Sequence, residues 1–240
     1  MDAPLPAETI VLPVRGWRID PRHALAAAVI CWLGFAVVAW LVHNGHASGI
    51  DSTGLILWRH SQDLTPRGPA WLAEAVRDIT ALGGVVLRIM FTIAAVVALI
   101  YLRLRREALV LVGTLLSGLL VELAMKQLVG RPRPQIVPHL MEAGGMSFPS
   151  GHSFNASLGF IAVALAFATF SRVRSVRWTI IGAAVLASML VAWSRVWLGV
   201  HFPTDVIAGW LGGAGWAFLG EALLQRPAQA VAHTASPTRP

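Results

Sequence analysis

The stretch 24-ALAAAVICWLGFAVVAWLV-42 is nineteen residues long and contains no charged residue. Its length is close to the ~20 residues that a helix needs to cross the hydrocarbon core of a bilayer. The apolar core of a secretory signal peptide would be shorter, at about 7–15 residues. This stretch therefore predicts an uncleaved membrane-spanning helix.

Further apolar runs follow along the chain, at residues 84–102, 108–125, 153–170, 178–193 and 202–223. None of them alternates with the period of a strand, and a lipid bilayer admits only helices or closed barrels. The last run carries four glycines within seven residues, and small residues let membrane helices pack closely. We predict an all-α, polytopic membrane protein with six transmembrane helices.

The composition indicates the same class. The chain of 240 residues is 56% hydrophobic and 13% charged, with a mean hydropathy of +0.65, whereas soluble domains are about 25% charged. The net charge of +7 does not indicate a nucleic-acid partner, because the arginines lie in short clusters between apolar runs. The single cysteine, Cys31, lies inside an apolar run, which excludes a disulfide framework and a thiolate metal site.

The arginines predict the orientation of the helices. They cluster before the first apolar run, after the second and fourth runs, and in the tail: Arg15, Arg18, Arg22, Arg103, Arg105, Arg106, Arg172, Arg174, Arg177, Arg226 and Arg239. Because basic residues favour the cytoplasmic side, we expect both termini to be cytoplasmic. The longer segments 43–83, 126–152 and 194–201 then face the periplasm or the exterior of a bacterial inner (plasma) membrane.

One membrane domain is predicted, over residues 24–224. Residues 1–23 would form a cytoplasmic N-terminal segment, and the Pro/Ala/Thr-rich residues 225–240 a disordered cytoplasmic tail. Segment 43–83 mixes apolar and charged residues, which predicts amphipathic helices in the membrane interface over 50–64 and 71–82. Trp58 and Trp71 would lie at the headgroups. These helices would act either as a lid or guide for a lipid or simply as an anchor.

Polar residues concentrate in three short motifs beside the apolar runs. The motifs are Lys126-x6-Arg133-Pro134, Pro149-Ser150-Gly151-His152 and Ser194-Arg195-x5-His201-x3-Asp205. Ionisable groups at membrane depth are costly and indicate a function by default. Three cations, two histidines, a hydroxyl and a carboxylate suit the binding and transfer of a phosphoryl group.

His201 and Asp205 are four residues apart, so on a helix they would share a face. A carboxylate bonded to one imidazole nitrogen leaves a lone pair on the other nitrogen, as in an activated nucleophile. The alternative is a helix-capping histidine beside an ordinary first-turn carboxylate. Arg195, just before this pair, adds a cation for phosphate.

The second motif runs directly into the apolar run 153–170. Amides at a helix N-terminus bind anions, and Gly151 lets an oxyanion approach closely. Ser150 adds a hydroxyl donor, and His152 stands where a general acid would protonate a leaving oxygen. Taken alone, the motif fits an ordinary helix start equally well.

The first motif places Lys126, Arg131 and Arg133 after the apolar run 108–125. Arginine matches two phosphate oxygens at a time, while lysine acts as a point charge. An ordinary basic flank of a membrane helix is the alternative, but such flanks mark the cytoplasmic side. Glu122, one turn before Lys126, is expected to pair with it, as a structural contact or, alternatively, to tune the lysine.

The order and spacing of the motifs resemble those of the type 2 phosphatidic acid phosphatase family, which is related to bacterial acid phosphatases and vanadium haloperoxidases. The resemblance covers residues 84–223 and all three motifs. It implies that His201 carries a phosphohistidine intermediate, that Asp205 orients His201, and that His152 protonates the leaving group and then activates water. It also implies a phosphate-binding set: Lys126, Arg133, Ser150, Gly151 and Arg195.

The resemblance implies no cofactor and no metal ion, and the sequence has no carboxylate cluster for Mg²⁺. The expected partners are the bilayer and a phosphorylated lipid, with undecaprenyl pyrophosphate as the first choice of substrate. Phosphatidylglycerol phosphate, phosphatidic acid and a lipid A phosphate are alternatives. A lipid phosphotransferase with the same site and a transporter of phosphorylated lipids remain open. Neither the acceptor nor the oligomeric state follows from the sequence.

Overall fold

The computed structural model describes residues 19–171 and 173–234, with side chains up to Leu223. This part of the chain contains eight helices: α1 (Pro21–His43), α2 (Ser48–Ile56), α3 (Ala70–Ala81), α4 (Val85–Tyr101), α5 (Arg105–Val129), α6 (Gly151–Ala168), α7 (Arg174–Trp197) and α8 (Pro203–Thr234). Apart from one isolated bridge between Arg59 and Pro66, the described residues outside the helices are turns and irregular segments. The predicted all-α class is confirmed.

Five helices are long and apolar enough to cross a bilayer: α1, α5, α6, α7 and the Pro203–Leu223 part of α8. Helix α4 has 17 residues and is joined to α3 through a bend of 47°. The bend arises where the extended backbone of Gly84 interrupts the helix. If α3 and α4 are counted together as one bent span, the described residues contain six candidate spans, which is the number predicted.

Helices α6 and α8 form the centre of the bundle. In each of these two helices, 61% of the membrane-spanning stretch is buried, compared with 11% in α1, 28% in α5 and 17% in α7. Helix α8 packs between α1 and α6, and α6 also packs against α7. The core between them contains Phe154, Leu158 and Ile161 of α6 together with Ala214 and Ala217 of α8.

Two glycines of α8 set its distance from α6. A Cβ on Gly213 would lie 2.0 Å from the carbonyl oxygen of Phe154, and a Cβ on Gly209 would lie 2.5 Å from that of Ser150. Only a residue without a side chain permits these contacts. The close packing expected from the glycine-rich run is therefore present, and it holds the start of α6 beside the start of α8.

The outward surfaces of α1, α4, α5 and α7 carry large exposed apolar side chains. Ile30 is 68% exposed, Val86 70%, Leu109 73% and Leu186 60%. Contiguous apolar surface of this extent marks a lipid or protein contact. On helices of spanning length, this surface forms the lipid-facing side of the bundle.

Segment 43–83 forms two helices as predicted, but α2 is shorter than expected. It ends at Ile56 instead of residue 64 because the chain turns back, with the His60 amide donating to the Thr65 carbonyl at 2.9 Å. Trp71 is 66% exposed, as a headgroup anchor would be. Trp58 is half-buried and packs edge-on against Trp193, with ring centroids 5.5 Å apart, and its place at the headgroups remains a prediction.

Part of the predicted terminal segments lies outside the described residues, which exclude 1–18 and 235–240. Helix α8 continues to Thr234 and so includes ten residues of the tail for which disorder is predicted. The domain bounds at residues 24 and 224 remain predictions.

Candidate active site

The three predicted motifs meet at one end of the bundle. Four helix ends contribute Lys126 (end of α5), His152 (start of α6), Arg195 (end of α7) and Asp205 (start of α8). The loop 130–150 closes over these ends. Its Ser147 amide donates to the Arg131 carbonyl at 2.8 Å, and the Ser150 amide donates to the Asp205 carbonyl at 2.9 Å. The loop thus brings the first motif to the second and third.

His201 and Asp205 are in contact, although they do not share a helix. Helix α8 begins at Pro203, a residue suited to the first helical position, so His201 lies in the connector before it. Nδ1 of His201 is 3.5 Å from Oδ2 of Asp205, and the two side chains are 2% and 0% exposed. The predicted helical face is wrong, whereas the predicted pairing is present.

Ser147 joins this pair and was not predicted as a site residue. Its hydroxyl donates a short hydrogen bond to Oδ2 of Asp205 and lies 3.3 Å from Nδ1 of His201. The Phe202 amide donates to the same carboxylate oxygen at 3.0 Å. A single serine in an irregular loop gives no periodic signal or motif by which it is recognised.

Arg133 faces the other nitrogen of the His201 ring. Its Nη1 lies 3.0 Å from Nε2 of His201 and 2.8 Å from the Val200 carbonyl oxygen. A guanidinium only donates hydrogen bonds, so Nε2 accepts and the ring proton is assigned to Nδ1, toward Ser147 and Asp205. The lone pair of Nε2 therefore points at the cationic side of the site.

The charge state of His201 follows from its surroundings. His201 lies outside the spanning helices, and burial lowers its pKa from 6.5 to about 4, while the Asp205 carboxylate acts in the opposite direction. Arg133 and Arg195 add to the lowering through their positive charge. The imidazole is therefore neutral at pH 7, as a nucleophile must be.

Lys126 and Arg133 are held by the same loop. Lys126 Nζ donates to the Pro149 carbonyl at 2.8 Å and pairs with Glu122 at 3.4 Å, the contact expected from their spacing. Arg133 Nη2 donates to the Gly144 carbonyl at 2.7 Å. Because these carbonyls belong to residues 144–149, both cations are positioned beside the start of α6.

Arg195 is 2% exposed and is anchored by residues from distant parts of the chain. Its Nη1 lies 3.0 Å from Thr80 Oγ1 and 3.0 Å from the Met141 sulfur. Its Nε has no hydrogen-bond partner in the described part of the chain. Its charge acts on both His152 and His201. Thr80 belongs to α3, so the segment 43–83 reaches the site.

Ser150 and Gly151 form the start of α6. Ser150 is the residue that caps the helix, and its fully buried hydroxyl accepts from Ser153 at 3.0 Å. His152 follows in the first turn, where Gly83 packs on it: a Cβ on Gly83 would lie 3.5 Å from the His152 Cβ. The helix N-terminus and its two amides thus lie among the cations, where an anion would be bound.

Arg131 forms a second ion-pair system behind the site. Its Nη1 lies 2.6 Å from Asp205 Oδ1, and its Nη2 lies 2.6 Å from Asp51 Oδ2. Asp51 also accepts from the Thr204 amide at 3.0 Å, and the Arg131 guanidinium lies 4.1 Å from the Phe202 ring centroid. Helix α2 is thereby tied to the start of α8. Neither Asp51 nor Arg131 was predicted to have a role of this kind.

The chemistry available to the site is that of cations, imidazoles and a hydroxyl. In the described residues, no group of three or more histidines, cysteines or carboxylates is placed to hold a metal ion. The arrangement combines an oriented neutral imidazole, fixed cations and a helix N-terminus. Such a set is able to bind a phosphoryl group and to attack it.

Comparison with known proteins identifies the family. A family model described as the PAP2 superfamily matches residues 106–227, just over half of the chain. Phosphatidylglycerophosphatase B of Bacillus subtilis is 28% identical over 188 residues, which are 75% of this chain and 86% of that protein. A Rhizobium etli lipid A 1-phosphatase is 37% identical over 117 residues, 45% of either chain. A Sulfolobus acidocaldarius undecaprenyl-diphosphatase is 41% identical over 73 residues, 30% of this chain and 31% of that protein.

Solved structures show the same fold. A crystal structure of a transmembrane PAP2 type phosphatidylglycerolphosphate phosphatase from Bacillus subtilis superposes with a TM-score of 0.70 at 25% identity, over 88% of this chain and 98% of that one. That of Aquifex aeolicus LpxE superposes with a TM-score of 0.53 at 23% identity, over 69% and 91%. Fold and site together define an integral-membrane phosphatase. The chain belongs to the PAP2 superfamily, within its membrane lipid phosphatases, as the motifs suggested.

Proposed function

We propose that the protein hydrolyses a phosphomonoester or diphosphate of a membrane lipid through a phosphohistidine intermediate on His201. The observation that carries this proposal is the geometry of one ring: Nδ1 faces Asp205 and Ser147, while Nε2 keeps a lone pair that faces Arg133. Simple retention of a phosphate would require the cations but not an oriented imidazole.

In the first step, Arg133 moves its hydrogen bond from Nε2 of His201 to a phosphate oxygen, and the freed lone pair of Nε2 attacks phosphorus. The N–P bond forms while the bond from phosphorus to the lipid oxygen breaks. His152, which is protonated when the phosphate anion is bound beside it, gives its proton to that oxygen. Asp205 stabilises the positive charge that develops on the ring. The phosphate oxygens are held by cations and by the start of α6: Lys126, Arg133, Arg195, Ser150 and the Gly151 amide. Fixed charges of this kind supply the main stabilisation of a phosphoryl transition state.

In the second step, water attacks the phosphorus of phosphohistidine. His152, now neutral, takes the proton of that water, the N–P bond breaks, and inorganic phosphate leaves. Both imidazoles are then back in their starting protonation states. Since side-chain cations neutralise the phosphoryl oxygens throughout, the proposed reaction uses no metal ion.

An apolar cavity of about 590 Å³ supports a lipid as the substrate. It runs between α4, α6 and α7, and its α6 wall extends from Asn155, one turn after His152, to Phe167. At a rise of about 1.5 Å per residue, this wall is roughly 18 Å long. Phe91, Phe160 and Val163 add to its apolar lining. We propose that it holds the first part of the hydrocarbon chain of the substrate.

Undecaprenyl diphosphate is the substrate we propose first, with phosphatidylglycerol phosphate, phosphatidic acid and lipid A phosphates as competitors. Relatives of this chain carry the names undecaprenyl-diphosphatase, phosphatidylglycerophosphatase B and lipid A phosphatase. All of these lipids offer the same phosphate to the cations. Selection among them then depends on what lies next to the leaving oxygen.

The site is proposed to face the periplasm or exterior of a bacterial inner membrane. Arg105 begins α5, whose other end carries Lys126, and Arg174 begins α7, whose other end carries Arg195. The arginine-rich helix ends are thus opposite to the site, and basic flanks favour the cytoplasm.

Thiol labelling of intact cells tests this orientation. In a Cys31→Ala background, single cysteines replace Gln62 or Arg174, both of which are exposed. We expect an impermeant reagent to label the cysteine at 62 and not the one at 174. The reverse pattern would overturn the orientation.

The function itself is tested by phosphate release in detergent with excess EDTA. The panel contains undecaprenyl diphosphate, phosphatidylglycerol phosphate, phosphatidic acid and a lipid A phosphate. His201→Ala is compared with wild type and with His60→Ala, a control at an exposed histidine. We expect release that is lost only in His201→Ala.

Three other outcomes of this assay would point to a different mechanism or function. Release that persists in His201→Ala contradicts the phosphohistidine. Phosphate found on an acceptor lipid in place of free phosphate would make the protein a phosphotransferase. Binding of all four lipids without any turnover would favour a transporter.

A further inference from the structure

Arg88 is a cation at the head of the apolar cavity, and the mechanism above does not use it. It is the only charged residue in the run 84–102 and lies in the first turn of α4, half-buried. In the described part of the chain, its guanidinium forms no hydrogen bond and no close ion pair, and the carboxylate whose charge acts on it is that of Glu122. A guanidinium at membrane depth is costly unless something binds it. The cavity is the place from which a ligand would do so.

The cavity places Arg88 next to His152. Gly83 lines the same end of the cavity as Arg88, and a Cβ on Gly83 would lie 3.3 Å from the His152 carbonyl oxygen. Asn155, on the opposite wall, donates to the Gly151 carbonyl at 2.9 Å and so belongs to the same turn of α6. The charge of Arg88 acts on His152 and on Glu122.

This position corresponds to the leaving side of the scissile bond. In the proposed function, the phosphoryl group is held by the three cations, and His152 protonates the leaving oxygen. The hydrocarbon chain continues into the cavity. The group attached directly to the leaving oxygen therefore lies beside Arg88, before the hydrocarbon chain begins.

We propose that Arg88 binds the second phosphate of a diphosphate lipid, the one that leaves with the hydrocarbon chain. This inference rests on the proposed function and specifies its substrate class. When Nε2 of His201 takes the terminal phosphoryl group, the bridging P–O bond breaks and its electrons stay on the lipid phosphate. Arg88 neutralises that phosphate with a bidentate contact, for which arginine is suited. A lipid with a single phosphomonoester offers Arg88 nothing comparable.

The test uses two substrates that share one chain, farnesyl diphosphate and farnesyl monophosphate. Wild type is compared with Arg88→Gln, Arg88→Lys and Arg105→Gln, the last being a control at an exposed arginine of the opposite bundle end. We expect Arg88→Gln to lower kcat/KM for the diphosphate by about 10- to 100-fold, and for the monophosphate by less than about threefold. Arg88→Lys keeps the positive charge but loses the bidentate guanidinium, so it should retain part of the preference for the diphosphate over the monophosphate.

The monophosphate also reports whether the variants fold. Equal losses on both substrates would overturn the inference, because they would mean that Arg88 only balances Glu122 or supports α4. Unchanged kinetics on the diphosphate would overturn it as well.

Failure of the proposed function would look different. If wild type releases phosphate from neither substrate, ligand binding is measured instead. The affinities of wild type and Arg88→Gln are compared for farnesyl methylenediphosphonate and farnesyl phosphonate. A loss of about tenfold or more on the diphosphonate alone supports the second-phosphate site. Equal affinities of the two proteins for both ligands would contradict it.

Discussion

Nη1 of Arg131 lies 2.6 Å from Oδ1 of Asp205. The other carboxylate oxygen, Oδ2, faces His201 and accepts from Ser147. One carboxylate therefore connects the imidazole to a guanidinium, which in turn is held by Asp51 of α2 at 2.6 Å. The orientation of His201 depends on residues as far away in the sequence as position 51.

We predict that Arg131→Gln lowers kcat by about 10- to 100-fold with little change in KM, because it leaves the buried Asp205 carboxylate without its cation. Arg131 is a positioning residue, so its effect should also appear in the pH profile. With less positive charge beside Asp205, the carboxylate acts more strongly on His201, and the acidic limb of kcat/KM should move to higher pH. Arg105→Gln, at the opposite end of the bundle, serves as the control. A lower melting temperature without any change in the pH profile would mean that Arg131 only stabilises the packing of α2.

The pKa of His201 makes a direct prediction for wild type. Burial lowers it from 6.5 to about 4, and the imidazole attacks only when it is unprotonated. The acidic limb of kcat/KM that belongs to His201 should therefore lie well below pH 6.5, with activity retained at pH 5.5. The ionisation of the substrate is measured separately by phosphorus NMR in the same detergent. A limb at pH 6.5 that is independent of the substrate would show that His201 is not desolvated as the structure has it.

The hydroxyl of Ser147 is predicted to matter for catalysis although the residue is fully buried. Ser147→Ala removes the donor to Oδ2 of Asp205 and the oxygen beside Nδ1 of His201. Loss of a hydrogen bond to a buried charged group costs about 1.5–3 kcal/mol, so we expect kcat to fall by roughly tenfold or more. Ser61→Ala, at an exposed serine, is the matched control. Equal turnover by the two variants would show that Ser147 does not contribute to catalysis.

The packing of α6 against α8 gives a stability prediction. A Cβ at Gly213 would lie 2.0 Å from the Phe154 carbonyl oxygen, whereas a Cβ at Gly182 meets nothing within 4 Å. Overpacking of this kind costs about 1–3 kcal/mol or more. Gly213→Ala should therefore unfold at a clearly lower temperature in detergent, while Gly182→Ala should match wild type. Equal melting temperatures for the two variants would contradict the α6–α8 contact.

Most of the fold was predictable because its signals are local. The length and apolarity of each run define the spans, and Gly209 and Gly213 lie where the helices meet. The errors lie where long-range contacts decide. The predicted helix over 50–64 stops at Ile56 because the chain turns back, with the His60 amide donating to the Thr65 carbonyl.

In the active site, too, some features were predictable from the sequence and others were not. The motifs pointed to residues that the structure brings together at the ends of α5, α6, α7 and α8, while their catalytic and phosphate-binding roles remain predictions. Their supports were not predictable. Thr80 holds Arg195 across 115 residues, and Asp51 holds Arg131 across 80. A residue that acts through a distant partner carries no spacing pattern of its own.

The central claim is that His201 carries the phosphoryl group. Its most direct test is mass spectrometry of the His152→Ala variant after reaction with p-nitrophenyl phosphate and a quench in base. The aryl leaving group needs little protonation, while loss of His152 slows attack by water, so the intermediate should accumulate. The account predicts one added phosphoryl group on the peptide that contains His201, absent from a variant that also carries His201→Ala. Nitrophenol release with no phosphorylated His201, or with the group on another residue, would contradict it.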